Sequence, residues 1–277
     1  MNTLQCIIIA IVEGITEFLP ISSTGHMIIT QKLLGVEPGE FVNLFTVCIQ
    51  FGAILSVVVL YWKKFIEPVK ARRIEGTAWR RFSYRFDFYL KLLVAFLPAA
   101  FFGLIFNDSI NSLLSNVKIV AISLVLGGIV LIFVDRWFKK PAEDQQITYP
   151  KALKIGFFQV ISMIPGVSRA AATIIGGLTQ KMTRRNAAEF SFFLAVPTML
   201  AATVLELYKT YHTIDSSNIK LLILGNIVAF FVALAAIKGF IAFLTKHGFR
   251  VFGYYRIIVG GIILILLFMG IDLNMVG

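Results

Sequence analysis

Apolar residues in this chain come in long unbroken runs that do not alternate with polar ones. Six stretches, at about 41–62, 88–106, 117–134, 187–208, 219–244 and 255–271, carry almost no charge. Each is near the ~20 residues a helix needs to cross ~30 Å of hydrocarbon. Strands of a transmembrane barrel would be ~10 residues long and would alternate. The pattern therefore predicts an all-α polytopic membrane protein with about six transmembrane helices. Two further apolar elements, 4–19 and 155–164, are too short to cross. Each runs into a proline and small polar residues before another short helical stretch. They predict two re-entrant helical hairpins, because non-helical backbone is tolerated at membrane depth only where protein or a wet cavity surrounds it.

The order of elements repeats. Laying "FLPISST" at 18–24 on "MIPGVSR" at 163–169 matches Pro20 with Pro165 and Ser23 with Ser168, and the same offset puts Phe45 on Phe190. Near the ends of the halves, "GGIVLI" from Gly127 resembles "GGIILI" from Gly260. This predicts one membrane domain over 1–277, built from repeats at about 1–138 and 150–277. A hairpin plus three spans is an odd number of crossings, so the second repeat inserts inverted. Inverted repeats with broken helices place a polar site near the midplane, with half-helix N-termini aimed at an anion.

Charge orients this arrangement. Of 26 Lys and Arg, twenty fall in 63–91, 136–154, 181–185 and 246–256, while Lys32, Lys118, Lys209 and Lys220 fall on the other side. The bias places the first group in the cytoplasm. The net charge of +11 then marks cytoplasmic loops, not nucleic-acid binding. Lys238 and Arg256, near the inner ends of their spans, read as snorkelling side chains. Glu189 with Arg184 or Arg185 reads as inner-interface, and Glu206 as outer-interface. Cys6 and Cys48 sit in apolar sequence without the spacing of a disulfide framework or zinc motif, and read as small buried hydrophobes. The N-terminus lacks the basic flank and cleavage site of a signal peptide, so it is expected to stay.

The chemistry concentrates in the two broken elements. Glu13 and Glu17 are i and i+4, on one helix face, where two carboxylates in a low dielectric either share a proton or hold a cation. Oxygen-only ligation suits a divalent cation, Mg²⁺ or Ca²⁺. Within "SSTGH", Ser22 and Thr24 can serve as helix caps or as phosphate ligands, and Gly25 supplies flexibility. Ser23 reads as a nucleophile, with His26 three residues on, or a glutamate, as its base. In the second element Arg169 offers a planar fork suited to phosphate. Ser168 and the backbone N–H groups from Gly166 to Ala170 can complete an anion cradle. Such a set fits phosphoryl transfer, in which positioning and charge stabilisation supply most of the catalysis. At membrane depth the phosphate must arrive on a lipid.

"EGITEFLPISSTGH" and "PGVSRAAAT" resemble the ExxxE…SSTGH and PGxSRSxxT motifs of the undecaprenyl pyrophosphate phosphatases, the bacitracin-resistance family of bacterial membranes. "RRNAAEFSFFLAVP" and "FGYYRIIVGG" extend the similarity over nearly the whole chain. The resemblance implies hydrolysis of a C55 isoprenyl diphosphate to the monophosphate, regenerating the carrier lipid of cell-wall synthesis. It also implies a divalent cation, two inverted repeats and a site in the bacterial inner membrane open to the periplasmic side, and it leaves room for a homodimer. By motif position, Glu13 and Glu17 match the glutamate pair, Ser23 the candidate nucleophile, His26 the motif histidine and Arg169 the phosphate-binding arginine. Thr173 closes the second motif and joins the phosphate-binding set. The serine that follows the motif arginine is Ala170 here, which argues against an indispensable hydroxyl there. The type 2 phosphatidic acid phosphatases need a histidine where this chain has Ile175, so their mechanism is not available. A prenyl-phosphate flippase or transporter using the same inverted-repeat site is the alternative reading.

Overall fold

A computed structural model describes residues 1–70, 78–114, 116–215, 218–271 and 273. The described residues are all-helical: α1 (Thr3–Thr16), α2 (Ser23–Leu33), α3 (Glu40–Leu60), α4 (Trp62–Lys70), α5 (Ala78–Ile105), α6 (Asn107–Leu114), α7 (Val117–Trp137), α8 (Tyr149–Ile161), α9 (Arg169–Thr179), α10 (Arg184–Thr210), α11 (Asn218–His247) and α12 (Arg250–Phe268). Six segments are long and apolar enough to span a membrane: α3, residues Phe86–Ile105 of α5, α7, α10, α11 and α12. They match the six expected runs. Residues 71–77 of the basic 63–91 stretch, including Arg72 and Arg73, lie outside the described set.

Local chemistry sets the helix ends. Asn2 and Gln5 form a reciprocal capping box at the start of α1, satisfying two N–H groups that the helix cannot. Thr148 caps α8, with Pro150 in its first turn. This starts α8 six residues before the expected apolar element, because Lys151 and Lys154 lower hydropathy without breaking a helix. Pro197 lies within α10, where it cannot donate to the preceding turn, immediately before two residues that line the cavity described below.

The first helix of each broken element is inserted against a long one from the other half of the chain. Helix α1 packs on α11 and α8 packs on α5, while α3 meets α10 and α7 meets α12. Small residues permit the approach. A Cβ at Gly14 would stand 2.9 Å from Cβ of Val232, and one at Gly156 would stand 2.3 Å from the Ala95 carbonyl oxygen. In lipid, where burying apolar surface gives helices no preference for each other, such close contact is what binds them. The largest buried cluster gathers Phe18, Phe192, Phe240, Phe249 and Phe252 with surrounding aliphatics. Phe18 meets Phe192 edge-on at 5.4 Å. The outward faces carry exposed side chains such as Leu126, Phe231 and Ile258, as a lipid-facing surface requires.

Candidate active site

The two helix–loop–helix elements, α1–α2 and α8–α9, end their loops in the same way. Ser22 with φ 70° precedes α2, and Ser168 with φ 73° precedes α9. A non-glycine residue in that region costs ~1–3 kcal/mol and persists only where its surroundings hold it. The geometry pairs Ser22 with Ser168, one residue away from the expected Ser23–Ser168 match, because the shared feature is the turn into the helix and not the hydroxyl. Ser168 caps its helix through a bond from the Ala171 N–H. Ser22 makes no side-chain cap, so the first N–H groups of α2 keep their capacity for an anion.

Glu17, the C-cap of α1, joins the loops. Its Oε2 accepts from Ser23 Oγ at 2.7 Å and its Oε1 accepts from Arg169 Nη2 at 2.9 Å. Arg169 also donates through Nη1 to the Ser191 carbonyl at 2.9 Å and lies over the Phe18 ring, while its Nε has no protein partner. The line Ser23–Glu17–Arg169 thus connects residues 152 positions apart in the chain. It borders a cavity of about 230 Å³, to which the first loop brings Ser22, Ser23 and Thr24 and the second brings Pro165, Gly166 and Ser168. Gln50, Ser162 and Thr198 add polar groups that the sequence reading missed. Gln50 had a signal, an amide inside an otherwise apolar span. The larger depression near the ends of α7 and α12 is lined by Lys118 and four apolar side chains, with no reactive pair.

The remaining expected site residues stand behind this cavity. Glu13 is buried, with Oε1 lacking any partner. No group of three or more metal-ligating side chains occurs among the described residues.

His26 does not reach Ser23. Its Nδ1 is 2.7 Å from the Ser22 carbonyl oxygen and its Nε2 is 2.7 Å from the Tyr255 hydroxyl, with the two rings stacked. Of the two bases expected for Ser23, His26 or a glutamate, it is Glu17 that bonds to the hydroxyl: helical geometry puts residue i+3 one turn further along α2, and α12 captures the His26 ring. Gly25 serves packing, since a Cβ there would stand 2.7 Å from Leu124 Cδ1. Thr173 is 1 % exposed and bonds to the Arg169 carbonyl and Ser191 Oγ, so it braces the arginine and is not placed to touch phosphate. Arg256 is fully buried and not at an interface. The snorkelling assignment fails because its face of α12 points at α7 and the two loops, whereas Lys238 is exposed as expected.

Across residues 6–262 the chain matches the family described as bacitracin resistance protein BacA. It belongs to the BacA family. Relatives named undecaprenyl-diphosphatase are similar over nearly their whole length. The one from Flavobacterium johnsoniae is 56% identical over 97% of both chains, and that from Porphyromonas gingivalis 54% over 99% of both. The one from Bdellovibrio bacteriovorus is 51% identical over 100% of both. In this BacA-family chain both long motifs converge on one cavity, and the glutamate of the first motif contacts the arginine of the second.

Proposed function

We propose that this BacA-family protein is an undecaprenyl-diphosphate phosphatase whose serine is activated by Glu17. The observation that carries the reading is the Ser23–Glu17–Arg169 chain of hydrogen bonds beside a cavity lined by hydroxyls and an arginine. At about 230 Å³ the cavity is smaller than the ~300–1,000 Å³ of pockets that enclose a whole ligand. It suits a headgroup, with the prenyl chain left in the bilayer. Charge bias between loops supports a periplasmic opening. The crossed packing of α1 on α11 and α8 on α5 supports two inverted repeats with re-entrant hairpins.

In this mechanism the diphosphate enters with its terminal phosphate against Arg169 and the first N–H groups of α2. Arg169 lines the cavity with its fork held by Glu17 and the Ser191 carbonyl, so a phosphate arriving there meets a positive charge already fixed in place. Glu17 takes the Ser23 proton as Oγ attacks the terminal phosphorus. The bridging P–O bond breaks and its electron pair leaves with the prenyl monophosphate. Glu17 gives up that proton to the departing monophosphate; water then attacks the phosphoserine, Glu17 accepting its proton and handing it to Ser23 Oγ as the Oγ–P bond breaks and inorganic phosphate departs. Direct attack by water, with Ser23 only binding, is the competing sequence; single-turnover labelling with ³²P separates them by a trapped phosphoserine.

The donor set fits a divalent cation. Glu13 presents a buried oxygen without a partner next to Glu17 on the same helix face, and Mg²⁺ commonly takes one or two carboxylates plus phosphate oxygens. Bound there, it would neutralise charge on the diphosphate.

Phosphate release from a prenyl diphosphate by detergent-solubilised protein tests the whole reading. Detergent removes the two sides of a membrane, so a flippase or transporter without hydrolytic activity releases none. No release with Mg²⁺ or Ca²⁺ present would sink the phosphatase.

A further inference from the structure

Arg256 spends every donor it has on backbone. Its Nε donates to the Leu124 carbonyl at 3.3 Å, Nη1 to Pro20 at 3.2 Å and Val167 at 2.9 Å, and Nη2 to Ser123 at 3.2 Å and Gly166 at 2.8 Å. A guanidinium has five N–H groups in a rigid fork, and all five are used. Among the described residues no carboxylate pairs with it. A buried charge without a counterion is expensive unless its donors are all satisfied, and here the satisfaction comes only from carbonyl dipoles.

Those carbonyls belong to three separate parts of the fold. Pro20 is in the first loop, Gly166 and Val167 are in the second, and Ser123 and Leu124 are in α7. One side chain from α12 therefore ties both loops to each other and to a spanning helix. The tie also sets peptide orientation. In a trans peptide the C=O and the following N–H point in opposite directions, so drawing the Val167 carbonyl toward Arg256 turns the Ser168 N–H away from it. Ser168 and Arg169 line the cavity, and the positive φ of Ser168 is the kind of strain that needs such a restraint.

We infer that Arg256 is a positioning residue for the phosphate site, holding the two loops in register so that Ser23 and Arg169 face the same headgroup. The kinetic part of this rests on the phosphatase reading. The role depends on the fork and not simply on the charge, because a lysine head has three donors and cannot reach five carbonyls. Gly127 provides a second handle. A Cβ there would stand 2.3 Å from Arg256 Nη2 and 2.8 Å from Cζ, so Gly127→Ala pushes the guanidinium off its acceptors while leaving the charge in place.

The test uses full-length protein in detergent: wild type, Arg256→Lys, Gly127→Ala, and Lys238→Met as a lipid-facing control. Prenyl diphosphate hydrolysis gives kcat and KM, and amide hydrogen exchange reports on residues 17–24 and 162–168. Misplacing reacting groups by about 1 Å costs rate by up to about 10²-fold with little effect on ground-state binding. Arg256→Lys and Gly127→Ala should lose about 10- to 100-fold in kcat with KM within about 3-fold, and both loops should exchange faster. Lys238→Met should match wild type. A merely structural role would lower the yield of folded protein but leave the folded fraction with normal kcat and normal loop exchange, and that result overturns the inference. Should Arg256→Lys not fold, Gly127→Ala decides alone. Absence of hydrolysis by wild type would defeat the phosphatase reading only; unchanged exchange in both loops would still overturn the positioning role.

Discussion

Glu17→Gln is the sharpest perturbation of the site, because glutamine keeps the shape of the side chain and changes what it can accept. Glu17 receives one donor on each oxygen, Ser23 Oγ at 2.7 Å and Arg169 Nη2 at 2.9 Å. Glutamine has one acceptor oxygen and one NH₂, so with the oxygen toward Ser23 the NH₂ meets the Arg169 N–H donor to donor, and with the oxygen toward Arg169 the NH₂ donates to Ser23 Oγ, which can only accept. If the oxygen faces Arg169, the serine loses its base. If it faces Ser23, the amide still cannot accept a proton at neutral pH. General-base assistance is worth about 10²- to 10⁴-fold, so kcat should fall at least about 100-fold. Binding should move the other way. Removing a negative charge beside a site for a diphosphate takes away repulsion, so at saturating divalent cation KM should hold or decrease. The ion pair is buried, with side-chain exposures of 12% and 8%. Breaking such a pair costs about 3–5 kcal/mol, here toward the lower end because Arg169 keeps the Ser191 carbonyl. Monodispersity and a melting curve must accompany the kinetics. The assay is phosphate release from a prenyl diphosphate in detergent over a range of substrate. A folded Glu17→Gln protein with kcat within about 10-fold of wild type would refute the assignment of the base, and a raised KM at normal kcat would make Glu17 a binding group instead.

Three further outcomes are expected. His26→Ala should lower kcat by less than about 10-fold, the cost of one or two peripheral hydrogen bonds, since its nitrogens bond to Ser22 and Tyr255; a loss as deep as that of Ser23→Ala would return it to the proton-transfer step. Chelation with EDTA should abolish phosphate release and Mg²⁺ or Ca²⁺ should restore it, with Glu13→Gln requiring more cation for half-maximal rate; full activity in chelator would remove the cation from the scheme. Gly156→Ala should destabilise the protein by about 1–3 kcal/mol through overpacking, read as a lower melting temperature, because its Cβ would stand 2.3 Å from the Ala95 oxygen; an unchanged melting curve would show that α8 and α5 separate freely.

What the sequence made legible follows from how local each signal is. Spans were readable because hydropathy sums over one segment and needs no partner, and all six appear. Glu17, Ser23 and Arg169 were readable because polar groups in an apolar setting must be satisfied by something, and here they satisfy one another. The start of α8 was misplaced because a window average reads Lys151 and Lys154 as loop, while the cap at Thr148 shows they are helical. His26 was placed beside Ser23 for a different reason. Proximity in sequence suggested Ser23, whereas its actual partner Tyr255 lies 229 residues away, a contact that exists only once α12 docks beside α2.

Arg256 exposes a gap in the reasoning about intramembrane charge. Its place at the inner end of the apolar run 255–271 suggested snorkelling, as did the six residues, about 9 Å at ~1.5 Å each, that separate Lys238 from the inner end of its own run. That argument uses the axial coordinate and ignores the angular one. Gly253, Arg256 and Gly260 fall at i, i+3 and i+7, one stripe of the helix, and small residues in a transmembrane stripe mark a helix–helix contact. The contact is real: a Cβ at Gly253 would stand 2.7 Å from the Gly128 carbonyl, and one at Gly260 would stand 2.8 Å from that of Ala121. An arginine between two such glycines points into the neighbouring helix and cannot turn to the headgroups. Lys238 shares the axial argument, but it faces outward, where no neighbouring helix prevents it from turning toward the headgroups. The angular position therefore decides which buried-looking charge is an anchor and which holds a site together.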